Sequence, residues 1–261
     1  MTSDRIDPAR LRAYTAAHAE LLADGGATIT IDDLVGGADP AAVDHLLALY
    51  DEMFSDYPYL RPALQRAAET PGDRGDLVVH QLFISIDGTP AGIMLLDCNL
   101  HRKVGIVLFV GLTRAARSIR IDGASFSAWL VTLVLAHLEN DLAAHGLPTP
   151  GLGLIGESNV PAEVRLWKGI GLHLFDMPYA EPRSGWDWAR EGLHLRDIYL
   201  LWLPPFGLTD DEIAALEPTA RQAGSAAFFL DHYALPADHP LVAAAVGDEA
   251  RRPAISSPRR S

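Results

Sequence analysis

Apolar residues along the chain either alternate with polar ones or recur at helical spacing, and each change of pattern predicts a new element. Alternation around Thr28-Ile-Thr-Ile31 is typical of a strand. Val43, Leu46 and Leu47 instead recur as on a helix that starts at Asp39-Pro40. The pattern predicts helices over residues 8–23, 40–54, 62–69, 125–144, 161–168 and 209–215. It predicts strands over residues 27–34, 78–86, 92–98, 104–112, 151–156, 173–177 and 197–203.

The order of these elements indicates an α/β (α+β) fold. Three successive strands, the first two joined at Asp87-Gly88, form a meander, and strand–helix crossings follow. This order predicts a mixed, mostly antiparallel sheet with helices on both faces. We divide the chain into an N-terminal helix (residues 1–26), a main domain (27–205) and a C-terminal extension (206–261). Its Pro-, Ser- and Arg-rich end, from residue 251, is predicted to be disordered.

Charge limits the partners of the protein. The formal net charge of −13 disfavours binding to nucleic acid or to an anionic membrane, because both repel an acidic surface. A local exception lies between residues 102 and 120, where no Asp or Glu occurs. The basic residues of this segment are Arg102, Lys103, Arg114, Arg117 and Arg120. Such a basic segment in an acidic chain predicts a site for an anionic cofactor.

The single cysteine, Cys98, excludes an intrachain disulfide and fits a reducing compartment. It lies in an apolar run, where a buried core thiol is a simpler interpretation than a nucleophile. The charged N-terminus lacks the apolar core of a signal peptide, and the apolar segments are too short to span a bilayer. These features predict a cytoplasmic protein without membrane partners.

The segment Arg120-Ile-Asp-Gly-Ala-Ser125 joins an apolar strand to a long apolar helix. Backbone N–H groups at the start of a helix have no partner within the helix, and together with the helix dipole they attract an anion. A simpler interpretation is a capped helix start, with Asp122 or Ser125 as the N-cap and Gly123 easing the turn.

The spacing Arg-x-x-Gly-x-small resembles the pyrophosphate loop of the GNAT superfamily of acyl-CoA-dependent N-acetyltransferases. A second match follows, in which Asn159, Ala162, Arg165-Leu166, Trp167 and Gly171-Leu172 fill the places of the superfamily's second conserved segment. The resemblance implies acetyl-CoA or another acyl-CoA as co-substrate. It also implies a cleft between two splayed parallel strands. The residues that it assigns to the cofactor are Leu112, Arg117, Arg120, Ile121, Asp122, Gly123, Ala124, Ser125, Asn159 and Trp167.

The resemblance also directs attention to acid and base residues. An amine must lose a proton as it attacks a thioester, and Glu157 at a strand end is the best candidate base, with Asp97 and His101 behind it. The superfamily often carries a tyrosine acid where this chain has Trp167, whose indole N–H cannot serve. Tyr179 and Tyr199 are alternative proton donors, or core tyrosines whose hydroxyls bond the backbone.

Three functions compete at this level. The first is an N-acyltransferase acting on the primary amine of a small molecule, without a metal. The second is a GNAT-like binding or assembly protein that has lost catalysis. The third is a metal hydrolase built on Asp231-His232 and Asp238-His239, although adjacent Asp-His pairs lack metal-ligand spacing. The aromatic, charged segment 179–202 predicts either an acceptor wall, or a hydrophobic latch or homodimer contact.

Overall fold

The computed structural model describes Ile6 and residues 8–55, 61–158, 160–182 and 195–246. Eight strands form one sheet in the order β1-β2-β3-β4-β5-β8-β12-β9. They are β1 His18–Leu22, β2 Thr28–Asp33, β3 Leu77–Ile86, β4 Thr89–Asn99, β5 Val104–Leu112, β8 Leu154–Ser158, β9 His173–Leu174 and β12 Tyr199–Leu203. Two small pairs lie outside this sheet: β6 Arg120–Ile121 with β7 Ala124–Ser125, and β10 Ala180–Pro182 with β11 Leu195–Asp197.

The sheet is mostly antiparallel, as predicted. Within it, β5 and β8 form the parallel pair, because α4 crosses over between them. The described α-helices are α1 Pro8–Leu11, α2 Pro40–Met53, α3 Arg61–Glu69, α4 Phe126–Ala144, α5 Pro161–Ile170, α6 Asp210–Ala226 and α7 Pro240–Ala245. A π-helical segment, Ala227–His232, continues α6.

Both faces of the sheet are covered by helices. On one face, α4 packs against β4 and β5 on the side that carries Met94, and α5 packs beside it against β8 and β12. On the other face, α2 and α3 pack against Phe83 and Ile93. The predicted α/β fold class, with a mixed sheet between two helical layers, is confirmed.

The predicted N-terminal helix over residues 8–23 is wrong beyond its first turns. After α1 and a short 3-10 turn, His18–Leu22 is a strand that pairs antiparallel with β2. Ala19 and Leu21 are buried, so the same apolar residues that suggested a helix also fit alternation. Pairing with the edge of the sheet outweighs the helix propensity of these residues.

The segment after residue 205 shares the core of the sheet. A Thr209–Glu212 capping box begins α6 as predicted, but the helix continues to Ala226 instead of ending near residue 215. Gly224 permits close packing, since a Cβ there would lie 2.8 Å from Ile155 Cγ1. The α6 and π-helical segments cover the same sheet face as α2 and α3, next to β5, β8 and β12.

Several strand bounds differ from the prediction. β4 spans Thr89–Asn99 instead of residues 92–98, and β8 spans Leu154–Ser158 instead of residues 151–156. β9 is confined to His173–Leu174, and β12 begins at Tyr199 instead of residue 197. Within the described part of the chain, no helix has the length and apolar character needed to cross a membrane. The predicted disordered end, from residue 251, lies outside the described residues.

Candidate active site

A cleft begins where the parallel strands β5 and β8 separate. They pair from Gly105 with Leu154 to Val107 with Gly156, and no described strand continues the pairing on this side of β5. The separation coincides with a β-bulge: Leu95 of β4 faces Phe109 while Leu96 faces Val107, so Leu108 is the extra residue. The second half of β5 therefore has no strand partner on this side among the described residues.

Glu157 is the first residue of β8 beyond this pairing, and two tyrosine hydroxyls converge on its half-buried side chain. Tyr179 donates a hydrogen bond to Oε1, and Tyr233 donates one to Oε2 over 2.6 Å. The structure therefore brings together the two predicted catalytic residues, Glu157 and Tyr179. The Tyr179 hydroxyl bonds this carboxylate and not the backbone, contrary to the core-tyrosine interpretation.

The two tyrosines, called the tyrosine pair below, are both buried. Burial, followed by the nearby negative charge of Glu157, raises the pKa of Tyr179 well above its ordinary value. The same two causes raise the pKa of Tyr233 in the same direction. Both hydroxyls therefore keep their protons and hold the Glu157 carboxylate in one orientation. A phenol with a raised pKa is a weak acid, so this geometry favours positioning over proton donation.

Sequence reasoning missed Tyr233, which comes from the segment treated as an extension. The Tyr233 N–H donates to the Phe228 carbonyl, five residues earlier, in the π-helical pattern of the preceding turn. Such turns often occur at functional sites because they redirect one side chain. The Tyr179 ring stacks on Phe229 with centroids 4.8 Å apart, so this segment supports both members of the pair. No local signal in the sequence marks Tyr233.

The predicted anion loop begins α4 as expected, and its N-cap is Ser125, which accepts from the Ala128 N–H. Its turn is tight, with positive φ angles at Asp122 and Gly123 between β6 and β7. The N–H groups of these two residues donate to the Asp24 carboxylate, over 2.8 and 2.9 Å. In this conformation a carboxylate of the chain thus occupies the place expected for a pyrophosphate.

The other residues assigned to the cofactor around this loop differ in whether their side chains can contact a ligand. The Ile121 and Ala124 side chains are buried, so only their backbones can contact a ligand. Arg117, an exposed residue, donates through Nε to the Leu112 carbonyl at the end of β5. Arg120 is exposed as well, which leaves two of the predicted cofactor-binding cations at the surface.

The basic residues of segment 102–120 lie in two separate regions of the fold. Arg102 is buried and donates to Asp231 of the π-helical segment over 2.9 and 3.3 Å, and Asn99 donates to the same carboxylate. Arg102 precedes β5, whereas Arg114 follows it, and a nine-residue strand spans roughly 30 Å. Only the basic residues after β5 can serve the predicted cofactor site.

The ion pair between Arg102 and Asp231 also argues against the metal hydrolase, the third candidate function. Asp231 is bound to Arg102, and the His239 Nδ1 accepts from the Leu241 N–H as the N-cap of α7. Among the described residues, a cluster with metal-ligand geometry occurs elsewhere and includes neither Asp-His pair.

The remaining predicted residues are spread over the fold or lie outside the described chain. Trp167 is half-buried in α5 and packs against the core beneath α4. Tyr199 is 41% exposed, Asp97 is buried in β4, and His101 is exposed. Asn159 and residues 183–194 of the aromatic segment, including Trp186 and Trp188, fall outside the described residues.

No protein-family model and no curated protein sequence matches the chain. Among solved structures, one described as a GNAT-family acetyltransferase from Desulfovibrio desulfuricans is 12% identical, with a TM-score of 0.43 over 67% of this chain and 98% of that chain. A Salmonella typhimurium acetyltransferase that modifies the N-terminal serine of ribosomal protein L7/L12 is 12% identical, with a TM-score of 0.42 over 67% and 94%. A Bacillus subtilis acetyltransferase in complex with CoA is 13% identical, with a TM-score of 0.36 over 62% and 91%. The chain is thus similar to acetyltransferases, one of them named for the superfamily that the two sequence motifs resemble.

Proposed function

We propose that the chain is an acyl-CoA-dependent N-acyltransferase of the GNAT superfamily that acetylates the primary amine of a small molecule. The observation that carries this proposal is the separation of β5 from β8 directly beside Glu157. Where pairing ends, an extended ligand can add to the free edge of β5, and a hydrogen-bonded carboxylate lies next to it.

The donor would bind along β5 and at the start of α4. Its pantetheine arm would bond the backbone of residues 108–112, and Arg117 and Arg120 would reach its phosphates. The start of α4 at Ser125 favours an anion through its dipole. Binding at the Asp122 and Gly123 N–H groups requires that Asp24 first leave them. In this proposal Asn159 and Trp167 complete the donor site.

The acceptor amine would approach from the sheet face that carries the C-terminal helices, because the tyrosine pair contacts Glu157 on that face. Glu157 accepts a proton from the amine nitrogen while that nitrogen forms the bond to the thioester carbon. The carbon–sulfur bond then breaks, and the CoA thiolate leaves and takes a proton from water. Tyr179 and Tyr233 act as positioning residues for the carboxylate.

Calorimetry with acetyl-CoA, followed by turnover over a panel of amines, tests the proposal. Glu157→Gln is expected to keep its affinity for acetyl-CoA and to lose about 10²- to 10⁴-fold in rate, the usual contribution of a general base. Glu163→Gln is the matched control, because this exposed α5 residue loses the same charge and accepts a hydrogen bond from Ser158, not from the tyrosine pair. Absence of binding to any CoA thioester refutes the proposal, and binding without turnover over the whole panel supports the non-catalytic alternative.

A further inference from the structure

A second cluster of reactive side chains lies beneath α4, away from the cleft. His80 comes from β3, Cys98 from β4 and Asp141 from α4. One ligand-type atom of each residue lies within 4.8 Å of those of the other two. We propose that these three side chains bind a structural divalent metal ion with the ligand preferences of zinc, which links α4 to the sheet.

The donor set and its geometry fit zinc. Zinc prefers cysteine sulfur, histidine nitrogen and carboxylate oxygen in a tetrahedral arrangement. With bonds of about 2.0–2.3 Å, the ligand atoms of such a site lie about 3.5 Å apart. The 2.9 Å separation of His80 Nε2 from Asp141 Oδ2 would therefore lengthen slightly, and any separation near the 4.8 Å limit of the group would shorten. Cys98 is fully buried and His80 is 8% exposed, which places the site away from water.

The outer contacts of His80 match those of a metal-bound histidine. The His80 Nδ1 lies 2.7 Å from Asp33 Oδ2, which leaves Nε2 facing Asp141 at 2.9 Å. Asp33 is itself held by the Gln81 N–H over 2.9 Å. A carboxylate on the second ring nitrogen is the arrangement that orients metal-ligating histidines and raises their basicity.

A fourth side chain in the same place lacks a partner. His137 lies one helical turn before Asp141 on the same face of α4, and its ring centroid is 4.3 Å from that of His80. Its Nε2 is buried without a hydrogen-bond partner in the described structure, which is uncommon for a buried polar atom. The group with ligand atoms within 4.8 Å does not include His137, so in this proposal its ring rotates toward the ion to supply the fourth ligand.

Metal binding leaves the net charge of the cluster unchanged. Without metal, His80 is protonated, because burial lowers its pKa less than the hydrogen bonds to Asp141 and Asp33 raise it. The thiol is neutral, because burial raises the pKa of Cys98. On binding, the divalent ion replaces two protons, one from the Cys98 thiol and one from the His80 Nε2. The cluster therefore holds either two protons or one divalent ion without a new uncompensated charge.

The test uses the full chain, free of affinity tags and produced with added zinc, analysed by elemental mass spectrometry. We expect about one zinc ion per chain, as for a structural site. Protein produced with Co²⁺ instead is expected to show tetrahedral ligand-field bands and a thiolate-to-cobalt charge-transfer band. Since Cys98 is the only cysteine of the chain, that band in the unaltered protein assigns the ligand without any variant.

Variants extend the assignment. Cys98→Ser is expected to lose the charge-transfer band and most of the bound metal, whereas His101→Ala, a change at an exposed histidine, keeps both. Unaltered protein with less than about a tenth of an equivalent of any transition metal and no thiolate band overturns the proposal. So does a Cys98→Ser protein that retains the full metal content. These readouts do not involve acyl transfer, so they stand or fall separately from the proposed function.

Discussion

Tyr233→Phe tests whether the C-terminal segment takes part in the acyl-transfer site. The change removes one hydroxyl that donates to Glu157 Oε2 over 2.6 Å, and the ring stays packed against Phe228. A hydrogen bond to a charged group contributes about 1.5–3 kcal/mol. Because Tyr179 still donates to Oε1, we expect the activation free energy to rise by the lower part of that range, as Glu157 becomes less well oriented.

Each 1.4 kcal/mol corresponds to about tenfold in rate, so kcat should fall about 10- to 30-fold. The KM for acetyl-CoA should change less than about twofold, because no donor contact is altered. Steady-state kinetics with the best amine of the panel measure both constants. Tyr199→Phe, at a partly exposed tyrosine of β12, is the control and should leave both unchanged.

A double-mutant cycle decides whether the effect passes through Glu157. In a Glu157→Gln background, Tyr233→Phe should have almost no further effect on the residual rate, since the carboxylate is already gone. An equal loss in both backgrounds would refute the positioning role. Circular dichroism and thermal unfolding of each variant show whether the fold is preserved.

Three further predictions follow from named contacts. Asp24→Asn should tighten acetyl-CoA binding about tenfold in calorimetry, because it removes the charge of an exposed carboxylate that competes for two N–H groups. Glu20→Gln, an equal charge change on β1, should leave binding unaltered, and unchanged or weaker binding of Asp24→Asn would show that Asp24 only supports the turn. The raised pKa of Tyr179 stabilises the fold below about pH 10, the pKa of an unfolded tyrosine, and this contribution is lost as the pH rises toward the folded pKa. Above pH 10, Tyr179→Phe should therefore make the unfolding free energy, measured by urea titration, fall less steeply by about 1.4 kcal/mol per pH unit, and an unaltered slope would contradict this. Asp231→Asn should destabilise the protein in the same assay, because it weakens a buried ion pair in which Arg102 donates from two nitrogens. We expect a loss of about 3 kcal/mol, and a loss under about 1 kcal/mol would show that other groups satisfy Arg102.

The elements that the sequence predicted correctly are those with a complete local signal. Ser125 caps α4 through its own hydroxyl, and Thr209 with Glu212 caps α6, so both starts are written in neighbouring residues. Asp87-Gly88 likewise forms its hairpin turn with positive φ at both residues, although Asp87 also bonds Thr28 of β2. The N-terminal segment failed because Ala19 and Leu21 satisfy two periodicities, and only pairing with β2 selects the strand.

The sequence by itself determined the order of the main strands and helices after β1, the position of Glu157 at a strand end and the loop before α4, since each depends on residues close in the chain. The tertiary structure decided which groups meet there. Tyr233 reaches Glu157 across 76 residues, and Asp24 reaches the Asp122 N–H across 98. Contacts of such separation leave no periodic trace, because they depend on how the helices pack on the sheet and not on the local backbone. The carboxylate of the proposed site was therefore visible in the sequence, whereas the groups that hold it and the anion loop in place were visible only in the fold.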